Sequence, residues 1–211
     1  MLLSTLERRL EEKEKRRNEI VDAAERVFAK KGYEKAAMGD VADAARLSRG
    51  LLYVYFKDKQ DLYMAIAARA MATLRADFEK AIQAKANGFE KMRAIGDAYI
   101  RFAHEKPQYF ETMGEYVGNS GIEGNSMEAC HQEGECILQL MSAVIHEGVQ
   151  DESIRKDIGD PLLTAVSLWG LTHGLLVLGM SKGEHLQSEH GVPMHLFMEH
   201  SMAMIDRMLQ P

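Results

Sequence analysis

Proline is scarce in this chain, at four residues in 211, and so are cysteine, at two, and aromatic residues, at 7% with a single tryptophan. Few prolines leave long helices uninterrupted, and the many Ala, Leu, Met, Glu and Lys residues favour helix, so the expected class is all-α. Two cysteines do not make a disulfide scaffold. Cys130 and Cys136, six apart, fall on different faces of a helix, and a reducing cytoplasm suits them. The first seventeen residues alternate in charge and build no apolar run after a basic start, so no signal peptide is expected. A Gly-rich phosphate loop and an HExxH helix are also missing, which removes two common catalytic signatures, and no enzyme is expected. His131 and Glu135 share a helix face at i, i+4, but the solvated-surface reading is preferred to a metal site. No cofactor is implied.

From Pro161 to Met180 there is no Asp, Glu, Lys or Arg. Twenty such residues could cross a bilayer, yet Thr164, Ser167, Thr172, His173 and three glycines dilute the run, so a helix buried on several faces, and no membrane span, is expected. The net charge of −6 argues against nucleic acid when taken whole. Its distribution does not, because residues 1–62 carry a net +2 and residues 63–211 a net −8. A mildly basic amino-terminal segment on an acidic body can point one end at phosphates.

Within that segment, Met38 to Phe56 reads as two short helices and a tight turn. Met38, Val41, Ala42 and Ala45 fall at i, i+3, i+4 and i+7, giving an apolar face with Asp40 and Asp43 away from it. Ser48 can cap a second helix. If Leu52 and Phe56 face the protein, then Gly50, Tyr53, Val54 and Lys57 face outward. Residues 5–31 read as one long helix with solvated Glu11/Lys15 and Glu12/Arg16 pairs, ending at Gly32, and Arg16 and Arg17 are candidates for the DNA backbone.

The order Val41-Ala42, Ser48-Arg49-Gly50, Leu52-Tyr53-x-Tyr55-Phe56 and Lys57-x-Lys59-x-x-Leu62 resembles the helix-turn-helix of the TetR (tetracycline repressor) family of DNA-binding regulators. The likeness covers about the first seventy residues. It implies a three-helix DNA-binding domain over residues 1–58, continuous with a helical effector-binding and dimerisation domain over 59–211, about nine helices in all. It implies DNA contacts from Arg49, Gly50, Leu51, Tyr53, Val54, Tyr55 and Lys59, with Tyr53, Tyr55 and Lys59 at phosphate-touching positions. Departures stand beside the likeness. Ala36-Ala37 replaces the usual capping Thr or Ser, Gly39 a polar or basic residue, Arg46 the turn glycine, and Leu51 and Val54 a Thr and a His or Trp. Base reading should therefore lean on Arg49, on apolar contact of Leu51 and Val54 with thymine methyls, and on DNA shape.

Asp58 should cap a helix running to about Ala86, a lever from reader to body, with no linker between the two. The body has an aromatic zone split by Pro107. The resemblance implies an apolar effector pocket, for which Tyr99, Phe102, Tyr109, Phe110, Met113, Tyr116, Leu138, Met141, Trp169 and His173 are the candidates. The stretch Gly118 to Ser126 reads as a mobile loop, Lys182 to Val192 as a polar, poorly ordered one, and Pro193 opens a last helix. The implied partners are a near-palindromic double-stranded operator, a second copy joined through 161–180 and 193–209, and a small apolar or amphipathic effector. The resemblance thus implies a cytoplasmic homodimeric repressor. A regulator switched by a protein partner, with no small effector, and a helical enzyme are the alternatives.

Overall fold

The computed structural model describes residues 5–118 and 125–211, with side chains for 5–114 and 125–211. Nine helices and no strand occur among them: α1 (Thr5–Lys31), α2 (Met38–Ala44), α3 (Arg49–Tyr55), α4 (Lys59–Ile82), α5 (Gly88–Glu105), α6 (Pro107–Gly118), α7 (Asn125–Gln150), α8 (Pro161–His190) and α9 (Met194–Leu209). The all-α expectation holds. Packing divides the chain into two compact units, one of residues through Ala70 with Gln108–Gln132, the other of Met71–Pro107 with Glu133–Pro211. The boundary falls inside α4.

In the first unit, local chemistry sets the helix ends. Gly32 takes φ 77° and returns its N–H to the Phe28 carbonyl, stopping α1. Ser48 Oγ accepts from the Leu51 N–H at 3.2 Å and starts α3, a cap that contributes about 1 kcal/mol. Asp58 caps α4 by accepting from the Asp61 N–H at 2.8 Å. The core gathers Ile20, Val21, Ala23 and Ala24 of α1, Val41 and Ala42 of α2, Leu52 and Phe56 around α3, and Leu62, Ala65 and Ile66 of α4. Leu52 and Phe56 are completely buried, and each contributes roughly 1.5–3 kcal/mol by leaving water. A second cluster joins Tyr63, Met64 and Ala67 to Met127 and Cys130. The Cys130 thiol donates to the Met64 carbonyl at 3.2 Å, and burial pushes its pKa up to about 12.

In the second unit the start of α5 meets the end of α7 at two glycines, Gly88 and Gly148. A Cβ on Gly88 would lie 2.2 Å from the Gly148 backbone, so position 88 admits no other residue without the helices parting. Asp151 and Ser153 accept the first N–H groups of α5, from Gly88 and Phe89. Asp160 caps α8 through Leu162 and Leu163. α5 buries Met92, Ile95, Ala98, Tyr99, Phe102 and Ala103.

Two boundaries and one pattern of burial differ from the sequence reading. α4 ends at Ile82, short of Ala86. α8 runs through the supposed loop to His190 and stops at Gly191 with φ 64°. Gly179 and Gly183 leave room there for the Met194 side chain of α9, 2.9 Å from where a Cβ would sit on either. The third concerns burial. α8 is long and apolar enough to span a membrane by composition, but only 22% of its most apolar window is buried. Leu163, Val166, Leu171, Val177, Leu178 and Met180 are exposed, so the helix is not covered on several faces by its own chain. Of the loop expected at Gly118 to Ser126, residues 119–124 lie outside the described residues, while Gly118 ends α6 and Ser126 is buried in α7.

Candidate nucleic-acid interface

α2, α3 and the turn between them form the site. Ala42, Asp43, Arg46 and Leu47 build the turn: the Leu47 N–H reaches the Ala42 carbonyl at 2.9 Å and the Arg46 N–H the Asp43 carbonyl at 3.1 Å. This double closure needs a left-handed residue, and Arg46 supplies it at φ 57°. The conformation costs about 1–2 kcal/mol for a residue with a Cβ, so the turn geometry is kept despite the missing glycine. Leu47 and Ala45 pack on the core, which holds the turn in place.

The Ala at the start of α2 is compensated differently. With no side chain to cap with at position 37, Asp40 reaches back and accepts the Ala37 N–H at 3.0 Å, while its other oxygen takes the Lys31 ammonium at 2.6 Å. Those contacts, the Lys31 hydrogen bond first, hold the exposed Asp40 carboxyl below its ordinary range.

On α3, Leu52 faces the core, whereas Arg49, Gly50, Leu51, Tyr53 and Val54 are exposed. Val54 is 71% exposed and Tyr53 53%, a large apolar and aromatic surface for a seven-residue helix. Tyr55 is half-buried against the core. Lys59, expected at a phosphate, opens α4. Its ammonium donates to the carbonyls of Tyr33, Glu34 and Ala36 at 2.8, 3.3 and 3.2 Å and lies over the Tyr33 ring, so its three protons brace the α1–α2 connection. Arg17 braces too, lying over Phe56 and donating to Ser126 at 3.0 Å, and Arg16 pairs with Glu19. Neither role of Lys59 or Arg17 was legible, because the partners are backbone carbonyls and residues far along the chain.

The residues suggested for an effector pocket divide between the two units. Tyr99, Phe102, Leu138, Met141, Trp169 and His173 belong to the second. There the Tyr99 hydroxyl meets His173 Nδ1 at 2.8 Å, the Trp169 and His173 rings lie 6.2 Å apart, and Phe78 packs edge-on to Tyr99. Burial pushes the Tyr99 phenol up to about 12 and His173 below its ordinary value. Tyr109, Phe110 and Met113 belong to the first unit. Tyr109 packs on that unit's core and donates to Glu25 at 2.9 Å, which Arg69 also holds. The side chain of Tyr116 lies outside the described residues. No group of three or more His, Cys, Asp or Glu able to hold a metal occurs among the described residues.

Residues 20–66 match the profile described as bacterial regulatory proteins, tetR family, and residues 92–200 the one described as tetracyclin repressor-like, C-terminal domain. The chain belongs to the TetR family. Members are DNA-binding transcriptional regulators, and the helix-turn-helix of α2 and α3 is the DNA-binding motif of that family. A transcriptional activator, FasR of Mycolicibacterium smegmatis, is 28% identical over 132 residues, covering 62% of this chain and 60% of that one. The fatty acid metabolism regulator of Bacillus subtilis is 24% identical over 144 residues, 66% of this chain and 71% of that one. The fold matches the FadR regulator of Bacillus subtilis in complex with stearoyl-CoA at a TM-score of 0.67, with 17% identity over 90% of this chain and 97% of that one.

Proposed function

We propose that the chain is a cytoplasmic, homodimeric transcriptional repressor that binds a near-palindromic operator and leaves it when an amphipathic effector, a long-chain fatty acyl thioester, binds the body. Residues 1–58 read DNA, and residues 59–211 bind effector and second copy. The observation that carries the reading is the division of α3: Leu52 is buried, while Arg49, Leu51, Tyr53 and Val54 present a bulky face to the outside. Arg49 donates to a guanine edge, Leu51 and Val54 meet thymine methyls, Gly50 allows close approach, and Tyr53 and Tyr55 touch phosphates. The exposed apolar side of α8, with Leu196, Met204 and Met208 of α9, is the face that a second copy covers. Two readers so joined meet successive major grooves.

The effector class draws support from the fatty acid regulator and the stearoyl-CoA complex among the relatives. In this chain, Phe102, Leu138 and Met141 supply apolar surface and Tyr99, His173 and Trp169 supply polar groups. An effector releases DNA only as far as it prefers the state with wrongly spaced readers.

The test is selection from a random pool of double-stranded DNA, followed by titration of the selected complex with stearoyl-CoA. A two-fold motif should emerge, Arg49→Ala should relax one position in each half-site, and stearoyl-CoA should both dissociate the complex and change Trp169 fluorescence. No enriched motif would remove the DNA reading. A motif whose complex ignores stearoyl-CoA would remove the effector class alone.

A further inference from the structure

We propose that Gly39 is a specificity-determining residue, the notch in α2 that fixes how Arg49 approaches a base pair; the inference rests on the DNA-reading role given to Arg49 above. The first turn of α2 and the first residue of α3 meet here. A Cβ on Gly39 would lie 2.6 Å from Arg49 Nη2 and 3.0 Å from both Cζ and Nε. Three atoms of one planar group at nearly equal distance mean that the guanidinium lies along its Nε–Cζ–Nη2 edge across the bare backbone of position 39. Any side chain there takes that space.

The rest of the setting keeps the guanidinium in the notch. Asp40 is next in sequence and attracts Arg49, but its oxygens already hold the Lys31 ammonium and the Ala37 N–H. It therefore draws the guanidinium over without capturing its donors. At the other end, the Arg49 backbone is fixed because Ser48 caps α3. An arginine rooted in a capped helix and laid across the bare backbone of position 39 starts near one orientation before DNA arrives, and a pre-set fork is what bidentate recognition of a guanine edge requires. The glycine that looks in sequence like a lost DNA contact is, in the fold, the seat of the one arginine at the start of the reading helix.

The clash at position 39 is with the far end of a flexible side chain, and alanine suits a helix better than glycine, so Gly39→Ala should fold and displace only Arg49. The experiment repeats the random-pool selection with wild type, Gly39→Ala, Arg49→Ala and the double variant, with melting curves to verify that each is folded. Gly39→Ala is expected to lose about tenfold in preference at the same base-pair position that Arg49→Ala relaxes. Other positions should not change, and the double variant should behave as Arg49→Ala alone. A wild-type motif from Gly39→Ala would overturn the proposal, as would changes at other positions or losses that add in the double variant. If wild type itself enriches no motif, the DNA reading fails first and this inference falls with it.

Discussion

α5 and α8 are both long helices of the same unit, α5 amphipathic and α8 apolar over most of its length, and they dispose of their apolar residues in opposite ways. α5 turns Met92, Ile95, Tyr99 and Phe102 inward and leaves none of them to solvent. α8 buries only Ala165, Leu168, Thr172 and Leu176, and Leu163 stays 68% exposed. The apolar content of a helix therefore says how much surface it can bury, not which chain does the burying. On α5 that surface holds the unit together; on α8 most of it is left uncovered by its own chain.

The contrast can be broken from the α5 side first. Phe102→Ala should cost about 3–5 kcal/mol of stability, since the ring is completely enclosed and a cavity would remain. Urea unfolding measures this, and a loss below about 1 kcal/mol would show that the site collapses or that the ring is not core. On α8, Leu163→Glu should change the stability of the isolated chain by no more than about 0.5 kcal/mol and yet convert a dimer to a monomer in light scattering. A variant that stays dimeric would move the interface elsewhere. The smallest effect lies where the two helices meet, at Tyr99 and His173. Burial holds the folded His173 pKa below its ordinary 6.5. The unfolded chain then binds a proton at His173 at pH values where the folded chain does not. Its contribution is complete above pH 6.5 and is lost as pH falls from there toward the lowered folded value. Melting temperatures of wild type should drop more between pH 7.5 and 5.5 than those of His173→Gln; parallel curves would mean that His173 is not desolvated.

Much of the reader was legible because its signals are local. Ser48, Asp58 and Gly32 are capping residues whose partners lie within four positions, so the end of α1 and the starts of α3 and α4 could be placed from the sequence. The positive φ of Arg46 could be anticipated in the same way, as the price of keeping the turn without glycine. What was not legible depends on atoms distant in sequence. The polar stretch after Met180 reads as a loop, and it is helix, with the Met194 side chain lying against Gly179 and Gly183. Gly39 reads as an absent donor until Arg49 is seen lying on it. The pocket residues could be named as aromatic and amphipathic, but periodicity alone could not tell that Tyr109 belongs with Glu25 and Tyr99 with His173.

Lys59 carries a consequence for how the two functions of this region respond to salt. A grip on DNA phosphates releases counterions and weakens steeply as ionic strength rises. The Lys59 ammonium is bound to three neutral carbonyls and an aromatic face, partners that carry no net charge for dissolved ions to screen. Raising the salt would therefore weaken a grip on DNA phosphates while leaving the connection between α1 and α2 fastened to the start of α4, so a reader driven off by salt would leave as an intact domain.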